Sequence, residues 1–74
     1  MYILLLRDCV FYEHDNSYPL AVSESKQKLQ DYMYERDEYL DADPAYISGT
    51  GDRTYIIDND LRRTWFEIQE IDKI

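Results

Sequence analysis

Chain breakers are scarce: the 74 residues include two glycines and two prolines. With long apolar stretches between the charges, that scarcity excludes a globally disordered chain. Cys9 is the only cysteine, so no intramolecular disulfide can form, and a reducing compartment is expected. It sits in an apolar strand-like stretch and reads as a small core residue with a neutral thiol. His14 is the only histidine. A general base or metal ligand needs a second positioned group. Flanked by Glu13 and Asp15, His14 reads instead as an exposed turn residue. Bases are few, 8 against 16 acids, for a net charge of −8. Neutralising phosphates needs Lys and Arg, so the balance argues against a free nucleic-acid binder or a ligand of anionic membranes. The N-terminal apolar run Ile3-Leu4-Leu5-Leu6 is far too short to cross a bilayer. Neither a basic n-region nor a small-residue cleavage site accompanies it, and a cytoplasmic protein is expected.

What remains is one domain, residues 1–74. With 45% of residues hydrophobic and 15% aromatic, it has the material for a core. Eight of the aromatics are Tyr, which packs its ring while keeping its hydroxyl in water, as a thin domain requires. Tyr2 to Tyr12 is rich in apolar and aromatic side chains; its run Ile3-Leu4-Leu5-Leu6 reads as a strand covered on both faces, or on one face and an edge, with Arg7-Asp8 as the place for a bulge. Residues 13–17 read as a turn, and Tyr18 to Val22 as a return strand in which Pro19 calls for an edge position. Ser23 is the expected N-cap of a helix running to about Asp41, with Leu29, Tyr32, Met33, Arg36 and Leu40 on one face. Asp43-Pro44 stops it. Ala45-Tyr46-Ile47 is a candidate short strand, Arg53 to Ile57 a strand, Asp58-Asn59-Asp60 a turn and Thr64 to Ile71 the last strand. The fold class is α+β: a small antiparallel sheet in strand-strand-helix-strand-strand order, with one amphipathic helix packed on it. The expected core is Leu4, Leu6, Val10, Leu20, Val22, Leu29, Met33, Leu40, Ile56, Phe66 and Ile68.

The stretch Tyr18-Pro19-Leu20-Ala21-Val22-Ser23-Glu24-Ser25-Lys26, the helix after it, and Trp65-Phe66-Glu67-Ile68-Gln69-Glu70-Ile71 together resemble small uncharacterised proteins of bacteria and their phages. In those, a hairpin leads into a helix through a Val-Ser-type cap and the chain ends in a strand. The resemblance covers most of the chain, rests on fold determinants and implies no activity.

No enzyme or cofactor motif emerges. Asp41, Asp43, Asp58 and Asp60 lack the continuation that folds oxygen ligands around calcium and are the residue types that turns require. Gly49-Thr50-Gly51 lacks the strand, helix and lysine of a phosphate loop. The acidic helix carries more. Asp31, Glu35 and Glu38 fall at i, i+4 and i+7, away from the apolar face, and Asp41 extends that side, with Tyr34 among them. Tyrosine is enriched in interface cores, so the mixture suits a binding surface. The expected site is therefore partner-binding: Asp31, Tyr34, Glu35, Glu38 and Asp41, facing a basic protein surface. The expected function is a small inhibitor or antidote mimicking nucleic-acid charge against a nucleic-acid-processing or defence enzyme. The alternative is an accessory domain that associates with copies of itself through its sheet. Arg62-Arg63 is expected to pair with Asp58 or Asp60.

Overall fold

The computed structural model describes residues 1–10, 15–49 and 52–71, so the expectations for His14, Thr50 and Gly51 lie outside the described residues. Strands β1 (Tyr2–Val10) and β2 (Asp15–Ser23) form a hairpin. Helices α1 (Lys26–Glu35) and α2 (Asp37–Leu40) follow, then strands β3 (Arg53–Asp58) and β4 (Arg62–Glu70). All neighbouring strands are antiparallel, in the spatial order β2-β1-β4-β3. This is the expected α+β class. No helix among the described residues is long and apolar enough to cross a membrane.

The topology explains the apolar content of each strand. The two central strands supply the most deeply buried side chains, Leu4 from β1 and Phe66 from β4. Pro19 falls on an edge strand, opposite Leu5 and beside a bulge, where proline is tolerated. Leu29 and Met33 come down from α1 onto Leu4, Ile56, Phe66 and Ile68 to complete the core. The opposite face of the sheet receives no helix.

Several expectations are corrected. The helix is broken. Ser25, not Ser23, caps α1, its hydroxyl accepting from the Lys28 amide, while Ser23 Oγ accepts from the Ser25 amide. At its other end Arg36 adopts extended backbone, φ −76° and ψ 147°, closing α1 and opening α2. In an unbroken helix Asp37, Glu38 and Asp41 would crowd the negative end of the macrodipole. The break places Asp37 and Glu38 in the first turn of α2, where acids are favourable. It also shifts the helical phase, so Tyr39 and Ala42 pack against the core and Leu40 is 63% exposed.

The second correction concerns the bulge, which lies opposite Leu4/Leu5 with Leu20 as the extra residue of β2, not at Arg7-Asp8. Val22 then faces away from the helices and is 59% exposed, while Leu6, Leu20 and Val10 are only partly buried. Third, Asp15, Asn16 and Ser17, expected in a turn, belong to β2 and pair with Cys9, Asp8 and Arg7. The candidate strand Ala45–Ile47 reduces to a turn and one bridge, Ser48 to Tyr55.

The core assignment has a direct check. Leu29→Ala and Met33→Ala should each lower the unfolding free energy by about 2–5 kcal/mol in urea titrations. Leu40→Ala and Val22→Ala should stay within about 0.5 kcal/mol. Equal losses at Met33 and Leu40 would contradict the phase shift at Arg36.

Candidate functional site

Two surfaces concentrate polar chemistry. The first lies on the helix-free face of the sheet. Alternation along the strands puts Leu5 and Arg7 of β1, Trp65 and Glu67 of β4, and Arg53 and Tyr55 of β3 on that face. Cross-strand register sets Leu5 and Arg53 on either side of Glu67, and Arg7 and Tyr55 on either side of Trp65. Glu67 Oε1 accepts from Arg53 Nη2 at 2.7 Å and from Trp65 Nε1 at 3.2 Å. Its Oε2 accepts from Arg7 Nη1 at 3.3 Å and from Gln69 Nε2. The indole lies between two guanidinium groups, with Arg7 Cζ 5.5 Å and Arg53 Cζ 5.4 Å from its ring centre, and the Tyr55 ring 5.4 Å away. Glu67 is only 7% exposed. The sequence places it correctly opposite Phe66 and Ile68 but treats it as an ordinary surface acid; its burial depends on four neighbours contributed by three strands.

Burial raises the pKa of Glu67, but hydrogen bonds from Gln69, Trp65 and Arg53 and the charge of Arg7 outweigh it and hold the carboxyl at about 2. In the unfolded chain the group titrates near 4.5. Its stabilising contribution is therefore complete above about pH 4.5 and is lost as the pH falls towards 2.

The second surface is the helical layer, where the expected partner-binding residues lie. Asp31, Tyr34, Glu35 and Asp41 are exposed. Asp31 accepts a hydrogen bond from Gln27 Nε2 at 3.0 Å. The Tyr34 ring meets Tyr39 edge-on, 5.0 Å between centres, so the two tyrosines span the break. Glu38 departs from the expected set. It is half-buried and accepts three hydrogen bonds from Arg36 Nε and Nη2 at 2.8–3.2 Å. The Arg36 hydrogen bonds hold its carboxyl below the usual range against the opposing effect of burial. The break puts Glu38 on a separate helix from Asp31 and Glu35, with Asp41 as the C-cap of that helix. The i, i+4, i+7 row thus persists only as the pair Asp31 and Glu35.

The disposition of the bases sets the electrostatics. Arg7 and Arg53 pair with Glu67, Arg62 with Asp8, Arg63 with Asp58, and Lys26 with Asp52. Arg63 takes the expected partner, whereas Arg62 reaches across to β1, its Nε and Nη2 each 2.8 Å from an Asp8 oxygen. Residues 31–43 hold six acids and one base, a net −5 of the chain's −8. Among the described residues, Asp31, Glu35, Asp37, Asp41 and Asp43 make no ion pair. Surplus negative charge is thus concentrated on the second half of α1, on α2 and on the segment that follows, residues 31–43.

The aspartates weighed for calcium serve turns. Asp43 Oδ1 accepts from the Ala45 amide, and Asn59 Oδ1 from the amides of Leu61 and Arg62. Cys9 is half-buried rather than a core residue; a hydrogen bond to Asp15, with burial second, pushes its thiol pKa up. No family model matches the chain, and no curated protein or solved structure matches it.

Glu67→Gln tests the sheet network. At pH 7 the variant should be less stable by on the order of 3 kcal/mol. The gap between the two proteins should close as urea titrations are taken down to pH 2. A gap that stays constant with pH would show that the carboxylate charge is not what stabilises this face.

Proposed function

We propose that this chain is a protein-binding inhibitor or antidote whose acidic helical side occupies a basic surface of its partner, in the manner of a nucleic-acid mimic. The observation that carries this reading is the segregation of charge. A coat of acids serving only solubility has no reason to leave the sheet nearly neutralised and the single stretch 31–43 at −5. Complementary charge chiefly raises the association rate and makes it salt-dependent, and exposed tyrosines beside the acids supply contact area at low entropic cost. Free DNA or RNA is not the expected ligand, because the guanidinium groups that could meet phosphates already face carboxylates.

The alternative, an accessory domain associating through its sheet, draws on the helix-free face, where exposed Val22 lies beside half-buried Ile3 on β1. The adjoining half of that face is occupied by the charged Glu67 network, which suits an apolar sheet-to-sheet contact poorly.

The test uses the partner recovered by pull-down from the native host. The double change Asp31→Lys and Glu35→Lys should slow association by about ten-fold at low salt. The fold should be kept, because both residues are exposed. Glu38 is unsuitable because reversal would set a lysine against Arg36, and Glu67 is unsuitable as a control because it is buried. The control is Asp60→Lys with Glu70→Lys, both exposed acids outside the helical layer. Equal association rates for the two double variants would reject the helical side as the contact surface and leave the sheet-mediated reading.

A further inference from the structure

A cleft of about 390 Å³ opens between the segment that follows α2 and the edge strand β3. Its base is apolar: Ala42, Ile56 and Ile57. Tyr46, 44% exposed, forms a wall. Glu38, Asp41 and Asp43 supply the rim, and no basic residue lines it.

The cleft is held open by local geometry. Asp43 turns the chain twice over, its side chain accepting from the Ala45 amide and its carbonyl from the Tyr46 amide at 2.9 Å. Ser48 and Tyr55 then exchange backbone hydrogen bonds of 3.2 and 2.8 Å, fastening the segment to β3. Gly49 follows with φ +96°, where a Cβ would collide with the Arg53 carbonyl. A site fixed by such bonds loses little entropy when it is filled.

We infer that this cleft docks an apolar side chain flanked by lysine or arginine, presented by the basic partner protein. The inference rests on the proposed role of the helical side and assigns its anchoring point. The volume lies at the small end of the range for ligand sites, which suits a single large side chain. Asp41 and Asp43 beside an apolar lining complement cationic neighbours of that side chain, while Glu38 is held by Arg36. Among the described residues, the chain's own bases do not cover Asp41 and Asp43; Arg36 reaches Glu38 alone. An apolar anchor within a charged rim is the usual arrangement at which interface energy concentrates.

The test is a ¹⁵N NMR titration of the intact chain with three blocked peptides: Arg-Arg-Phe-Arg-Arg, Arg-Arg-Ser-Arg-Arg and Glu-Glu-Phe-Glu-Glu. The first should shift the amides of Ala42, Tyr46, Ile56 and Ile57. The second should bind at least about five-fold more weakly, and the third should leave the spectrum unchanged. Tyr46→Ser should weaken the first peptide by a similar factor, as should Asp41→Asn combined with Asp43→Asn, a change that retains the side-chain acceptor for Ala45. Equal binding of the phenylalanine and serine peptides would overturn the cleft assignment while leaving the acidic side as a charge-only surface. Insensitivity to both cleft variants would overturn it in the same way. Shifts of the same amides by phenethylamine, as strong as those by the peptide, would replace the peptide with a small cation and also overturn it. Absence of binding by all three peptides at millimolar concentration would overturn it too, whereas the Asp31/Glu35 reversal against the recovered partner judges the wider reading separately.

Discussion

A four-stranded sheet with helices on one face leaves its other face to be covered by the sheet's own side chains, and in this chain that requirement is met around one carboxylate. Glu67 sits centrally on β4 and gathers Arg7, Arg53, Trp65 and Gln69 across three strands. The long arginine stems lie over the sheet while their head groups meet the carboxylate and flank the indole. A buried ion pair is a weak source of net stability, because desolvation offsets attraction. Here the carboxylate has several donors and keeps its charge well below neutral pH, so the arrangement works as a hydrogen-bonded cover. Removing the charge strands two guanidinium groups rather than one.

That solution has a consequence on the other side of the molecule. With eight bases in the whole chain, committing Arg7 and Arg53 to Glu67, Arg62 to Asp8 and Arg63 to Asp58 leaves few for the helices. Residues 31–43 are left with Arg36, and its partner is Glu38. The acidic character of residues 31–43 thus follows from two choices made together: where the acids were placed and where the bases were spent. A count of charges along the chain detects the first choice only. The second depends on which strands are neighbours.

The same distinction explains what could be read from the sequence. Leu29 and Met33 sit one turn apart on an uninterrupted helical pattern, and Ile56, Phe66 and Ile68 are strand formers. Both signals are local and both lead to the observed core. Leu40 and Val22 were misplaced because periodicity assumes an unbroken element. A helix break without glycine or proline leaves no compositional mark, and Pro19, beside the bulge at Leu20, marks an edge strand as readily as a bulge. Each moves the pattern by one residue and exchanges buried for exposed positions downstream, as any register slip does. Glu67 was legible as a residue on the outer face but not as a buried one. Among the expected site residues, Asp31, Tyr34, Glu35 and Asp41 are exposed as anticipated, while Glu38 is drawn into a pair by the break itself. The cleft that Tyr46, Ile56 and Ile57 line leaves no sequence signal, because it joins segments separate in sequence.

The break at Arg36 also reconciles charge density with stability. Acids along a continuous helix repel at i, i+4 and oppose the dipole at its C-terminal end. Ending α1 at Glu35 and restarting at Asp37 moves Asp37 and Glu38 to the N-terminal turn of a new helix, and Arg36 adds a local counter-charge together with a stack on the Tyr32 ring, 5.6 Å from its centre. α1 is anchored by Leu29 and Met33, whereas α2 contributes no fully buried residue. Segments with few buried contacts open at lower free-energy cost than the core they adjoin. The most acidic stretch therefore falls where the fold has least to lose by carrying it, and a partner that supplies positive charge there would remove a repulsion the free protein has to bear.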